Sequence, residues 1–173
     1  MLRLILTFGI TAGVIVAAPM FVTVLFIPGG DSMLVGYLIM ILAFSLIFVG
    51  VKRHRDRDLG GVIRFMPALL VGLGISAVAS LVYVIGWEIT LALTNFAFMD
   101  TYGAAMIEGA RAKGGSAAEI ARATAQAEAF KLQYANPLFR LPMTFVEIFP
   151  VGLLISLISA GLLRNSRFLP AGR

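Results

Sequence analysis

Two carboxylates stand in runs that are otherwise apolar. Glu88 lies in VIGWEITLAL (84–93) and Glu147 in TFVEIFPVGLL (144–154). An acid inside a lipid-spanning helix is costly and marks a functional site by default. Three chemistries would satisfy such a pair. Each glutamate can accept from a cation, with Arg140, Lys131 or Arg111 in the intervening stretch. The two can share a proton, one carboxyl being raised by its neighbour and by burial. Or they can hold a cation with help from Asn95, Asp100, Tyr102, Tyr134 or Asn136, an all-oxygen set that suits Mg²⁺ or Ca²⁺. The candidate binding residues are therefore Glu88, Glu147, Asn95, Tyr102, Asn136 and Arg140. The metal stays open, and no catalytic residue and no cofactor are expected.

Other chemistry is poorly supplied. The chain has no cysteine and one histidine, His54, which excludes disulfides, thiolate nucleophiles and multi-histidine metal sites. It has no Gly-x-Ser-x-Gly elbow and no phosphate-cradling glycine loop; Gly29-Gly30 and Gly114-Gly115 read as turns. Two carboxylates can do acid–base work, but nothing else defines a substrate. The expectation is a protein that is not an enzyme.

The elements that must position the glutamates follow from hydropathy. Of 173 residues 60% are hydrophobic and 13% charged, with mean hydropathy +0.95. Soluble domains are about 45–50% apolar and about 25% charged, and a chain this short cannot hide so much apolar surface. It is read as one integral membrane domain. Crossing a bilayer takes about 20 apolar residues, and four segments qualify: about 4–27, 33–51, 65–93 and 141–163. The first is longer than a signal-peptide core, so it reads as an uncleaved span, with Pro19 tolerated inside it. IPGGDS (27–32) reads as a tight turn. The following loop carries Lys52, Arg53, Arg55, Arg57 and Arg64, and the tail carries Arg164, Arg167 and Arg173. Short basic loops stay cytoplasmic. With four crossings, both termini are then cytoplasmic. The basic loop invites a nucleic-acid or an anionic-lipid reading and is read instead as a topology signal, and His54 as a solvated loop residue.

The stretch 95–140 is too polar to span and falls outside. GARAKGGSAAE (109–119) separates two helices, and Ser116 with Glu119 has capping-box spacing. Glu119–Arg122 and Glu128–Lys131 are candidate i,i+3 pairs. ANPLFRLP (135–142) turns the chain back into the membrane. The fold class is all-α membrane: a four-transmembrane-helix bundle with an extracytoplasmic helical hairpin between helices three and four. Small residues that let backbones approach recur at four-residue spacing: Gly9 and Gly13; Ala68, Gly72, Ser76 and Ser80; Gly152, Ser156 and Ala160. The serines can bond their own helix four residues back. Tyr83, Trp87 and Tyr102 suit an interfacial aromatic belt. Antiparallel helices three and four would bring Glu88 and Glu147 to matched depth near the outer surface. An exposed charge there would cost about 1–3 kcal/mol. By helical spacing Glu88 shares a stripe with Ala77, Leu81 and Ile85, and Glu147 with Leu154 and Ile158.

The stretches GYLIMILAFSLIFVGVKRHRDRDLGGVIRF, GISAVASLVYVIGWEI and YANPLFRLPMTFVEIFPVGLLISLISAGLL resemble a bacterial membrane family catalogued as domain of unknown function 4199. The motifs are Lys52-Arg-His-Arg-Asp56, Trp87-Glu88, and Thr144-Phe-Val-Glu147 with Pro150-Val-Gly152. The resemblance covers most of the chain, least well in the first helix and the alanine-rich hairpin. Where the family often has tyrosine in the loop, this chain has His54. The resemblance implies a four-helix protein of the bacterial inner membrane and implies no activity. The functional expectation is a small structural or accessory membrane subunit. The alternative is a proton- or cation-linked binding or transport protein using Glu88 and Glu147. Expected partners are the lipid bilayer and either a second copy or another protein through the outer hairpin, with no nucleic acid.

Overall fold

The computed structural model describes residues 1–26 and 33–171, all helical apart from turns. The elements are α1 (Leu2–Phe26), α2 (Met33–Arg53), a π-helical turn (His54–Asp58), α3 (Phe65–Leu93), α4 (Ala97–Ala112), α5 (Ala117–Ala135) and α6 (Pro137–Leu163). Four stretches are long and apolar enough to cross a membrane: α1, Leu34–Asp58, α3 and α6, with mean hydropathies of 2.2, 2.7, 2.4 and 2.1. The turn expected at IPGGDS (27–32) lies outside the described residues. Two compact units form, one from Met1–Trp87 with Phe145–Arg173, the other from Glu88–Thr144.

In the first unit the helices are apolar on most sides, so propensity alone cannot choose their contacts; small residues do. A Cβ on Gly9 or Gly13 of α1 would come within 2.6 Å of Val78 or Val82 Cβ on α3. Only a bare Cα permits that approach. On the opposite seam Gly72 of α3 meets Ser156 of α6, and Gly152 of α6 meets Ser76 of α3. The two serine hydroxyls lie 3.1 Å apart. Each also donates to its own helix, Ser76 to the Gly72 carbonyl at 2.9 Å and Ser156 to the Gly152 carbonyl at 2.7 Å. The three small-residue patterns thus resolve into α1 on α3 and α3 on α6. Ser80 differs: its buried hydroxyl has no partner among the described residues. Tyr83 and Trp87 are each only 7% exposed. Their rings turn inward, which removes them from the expected lipid-facing belt.

The expected basic loop begins as helix. The chain stays helical through Asp58, because Lys52–Asp56 and His54–Asp58 are i,i+4 pairs at 2.5 and 2.7 Å. Gly60 (φ 66°) and Gly61 (φ 93°) then end it in left-handed backbone. Arg55 is wholly buried. It donates to Asp56 at 2.6 Å, to the Phe168 carbonyl at 2.9 Å, and to the Leu169 carbonyl. Phe168 also packs edge-on to Phe48, with ring centroids 6.3 Å apart. One charge therefore anchors the C-terminal segment on the end of α2. His54 is buried as well, not a solvated loop residue.

In the second unit α4 and α5 pack on each other. Gly114 breaks the chain at φ 74°, and Ser116 caps α5 in the expected capping box with Glu119. The backbone N–H and then the hydroxyl of Ser116 hold the Glu119 carboxyl below the usual carboxylate range. Lys131 reaches across to Asp100 on α4 and not to Glu128. Ring contacts run from Tyr102 through Phe130 to Tyr134 and Phe139, with centroids 5.6–6.4 Å apart.

Candidate functional site

The second unit begins at Glu88 and closes on it. Arg140 grips the carboxylate with two parallel bonds, Nε to Oε1 and Nη2 to Oε2, both 2.7 Å. Its remaining nitrogen, Nη1, donates to the carbonyls of Tyr134 at 2.9 Å and Ala135 at 3.3 Å. The guanidinium also lies over Phe96 and Tyr134, 5.1 and 5.8 Å from the ring centroids. Side-chain exposure is 4% for Arg140 and 30% for Glu88. A planar fork with two carboxylate bonds, two carbonyls and two ring faces is a site only arginine can fill.

Local sequence sets this geometry. Asn136 ends α5 and starts α6: its side chain accepts from Leu138 N–H at 3.0 Å, and Pro137 follows at the first helical position, where its missing N–H is harmless. Arg140 is thereby fixed one turn into α6, with its N–H on the Asn136 carbonyl at 3.0 Å. At the other end Asn95 (φ 48°) and Phe96 (φ 61°) take left-handed backbone. That break ends α3 and places the Phe96 ring under the guanidinium. Such strain in two non-glycine residues persists only where surroundings hold it.

Of the residues singled out from sequence, Glu88 and Arg140 are joined directly. Asn136 supports them through the helix start, and Asn95 through the backbone break. Asn95 and Asn136 are both exposed. Tyr102 turns away to stack on Phe98 and Phe130. Asp100 is engaged by Lys131. Among the described residues no three His, Asp or Glu side chains gather where a metal could sit. The first of the three chemistries, pairing with a cation, is the one Glu88 adopts.

Glu147 is different. It is exposed on α6 and forms no ion pair or hydrogen bond with a described residue. Leu154 and Ile158, spaced on the same side of the helix, are exposed too. α6 has 27 residues, about 40 Å at 1.5 Å per residue, against about 30 Å of hydrocarbon. Counting about 20 residues back from Leu163 brings the apolar layer to about Thr144, so Glu147 falls within it. It is an exposed carboxyl in the apolar stretch of a helix long and apolar enough to cross a membrane.

A protein family described as "Protein of unknown function (DUF4199)" matches residues 7–165. The chain belongs to this family. The match takes in Lys52–Asp56, Trp87-Glu88, Arg140 and Thr144–Gly152, so the resemblance carried by those motifs stands, and it brings no reaction with it. No curated protein and no solved structure matches the chain. Sequence reasoning missed the burial of Arg55. The i,i+4 spacing of Lys52 with Asp56 and of His54 with Asp58 was the available signal that helix, and with it burial, continues past Val51.

Proposed function

We propose that this member of the family is a small accessory membrane subunit that works by binding a partner's spanning helix, not by binding a ligand of its own. The observation that carries the proposal is the contrast between the two glutamates. Glu88 has both oxygens engaged by Arg140 at 2.7 Å and has none free for a cation. Glu147 is exposed on a spanning helix with no partner among the described residues. An exposed charge at that depth costs about 1–3 kcal/mol, less than at the helix centre, and such acids face protein or water and pair. The matching partner is a spanning helix with a cationic or hydrogen-bond-donating side chain at that depth, flanked by residues that fit the exposed Leu154 and Ile158. Both termini are assigned to the cytoplasm from Lys52, Arg53, Arg55, Arg57 and Arg64, which puts α4 and α5 outside in the inner membrane of a bacterium. No enzymatic activity is assigned.

The test is purification of the tagged chain from source-cell membranes in a mild detergent. The proposal expects a second membrane protein at constant stoichiometry, lost from Glu147→Leu while the variant stays folded. Recovery of the chain alone, or equal partner content in the variant, overturns it. Proton flux in reconstituted vesicles that vanishes in Glu147→Gln would instead assign the unpartnered carboxyl to proton transfer, the competing use of an intramembrane acid.

A further inference from the structure

We infer that the chain binds the phosphate group of an anionic lipid in a cleft between the start of α1 and the end of α2. The cleft has a volume of about 410 Å³ and is lined by Arg3, Leu4 and Phe8 of α1 and by Arg53, Arg57 and Asp58. That volume is within the roughly 300–1,000 Å³ of small-molecule sites. Three arginines line it. The basic side chains around them are engaged: Lys52 and Arg55 by Asp56, and His54 by Asp58. Arg3, Arg53 and Arg57 are exposed and form no ion pair with a described residue. The one carboxylate on the rim, Asp58, is occupied by His54 Nδ1 at 2.7 Å. The local charge balance is therefore positive, and the free donors are those that fit phosphate oxygens in a fork.

The rest of the lining selects the source of the phosphate. Leu4 and Phe8 pack against the apolar core, so one wall of the cleft is hydrocarbon-like. Arg53 follows Lys52 just past the apolar part of the Leu34–Asp58 span, which ends at Val51, and Arg3 stands at the start of α1. The cleft thus lies where the apolar helices stop, at headgroup level, with an apolar wall for an acyl chain and cations for the phosphate. Basic pockets between spanning helices are suited to such headgroups. A soluble phosphate ester would use the arginines and leave the Leu4 and Phe8 wall without a role.

The test uses the full chain in neutral detergent and measures binding by thermal stabilisation in mixed micelles of phosphatidylglycerol or phosphatidylcholine. Phosphatidylglycerol should bind at least tenfold more tightly. Each arginine removed should weaken that binding about five-fold, the attraction of one interfacial cation to an anionic lipid, so Arg53→Gln/Arg57→Gln loses about 25-fold. Arg64→Gln, outside the cleft, should change nothing. Arg3→Gln alone tests the opposite wall should the double variant fail to fold. Equal binding of both lipids overturns the inference, as does an equal loss in Arg64→Gln, which would mean unspecific attraction to surface charge. Inorganic phosphate alone matching the phosphatidylglycerol affinity, with the same arginine dependence, overturns the lipid as source.

Discussion

Replacing Glu88 with glutamine removes the charge while keeping shape and one acceptor, and it leaves the guanidinium of Arg140 at 4% exposure without a counter-ion. At about 4 Å between charge centres and an effective dielectric constant of about 20, the pair interacts by about 4 kcal/mol. Removing one partner of a buried pair costs about 3–5 kcal/mol. Glu88 is 30% exposed, so water screens part of that, and we expect about 2–3 kcal/mol. Arg140→Leu should cost more than Glu88→Gln, since the carbonyls of Tyr134 and Ala135 lose their donor as well. The double variant Glu88→Gln/Arg140→Leu should be less destabilised than the sum of the two singles by about 2–3 kcal/mol, the coupling of a directly bonded pair. The assay is reversible unfolding of the purified chain by sodium dodecyl sulfate in mixed micelles. Additivity within about 0.5 kcal/mol would mean the two side chains do not interact, and the account of Glu88 as an engaged carboxylate would fail.

Three further outcomes can be checked. Gly13→Ala should destabilise by about 1–3 kcal/mol in the same assay, because its Cβ would meet Val82 Cβ at 2.6 Å; Gly36→Ala, with open space around it, should be neutral or stabilising by up to about 1 kcal/mol. Arg55→Met should free the C-terminal segment, read as tryptic cleavage after Arg167 at least tenfold faster; unchanged cleavage would contradict anchoring through the Phe168 and Leu169 carbonyls. Glu119 has a folded pKa below its unfolded value, chiefly through the Ser116 N–H. Its contribution to α5 is complete above the unfolded value of about 4.3 and is lost as pH falls through the lower folded value. Protection against hydrogen exchange in the first turn of α5, taken relative to the intrinsic rate at each pH, should therefore fall at acid pH in the native chain, and Ser116→Ala should abolish that dependence.

The fold class was legible because hydrocarbon thickness imposes a length and a composition that α1, α3 and α6 carry openly. The capping box at Ser116 was legible for a similar reason: two side chains at fixed spacing satisfy two backbone donors. The glycine and serine patterns announced close packing but could not name the pairs, since a small residue advertises room and not the neighbour that fills it. Arg140 was in view as a possible partner of Glu88. What decided between it and Lys131 or Arg111 was the helix start at Asn136-Pro137, which carries Arg140 into α6, whereas Lys131 is held by Asp100 on α4. The burial of Tyr83 and Trp87 was illegible, because type predicts the lipid interface for each, and packing overrode type.

The central claim is that α6 presents Glu147 to a partner's spanning helix. A photo-crosslinking amino acid placed at Leu154, on the exposed stripe of Glu147, tests it in living cells. The account predicts one dominant adduct with a second membrane protein, strongly reduced by Glu147→Leu and absent when the probe stands at Leu70, an exposed position on α3. Adducts with lipid alone, the same from both positions and indifferent to Glu147, would contradict it.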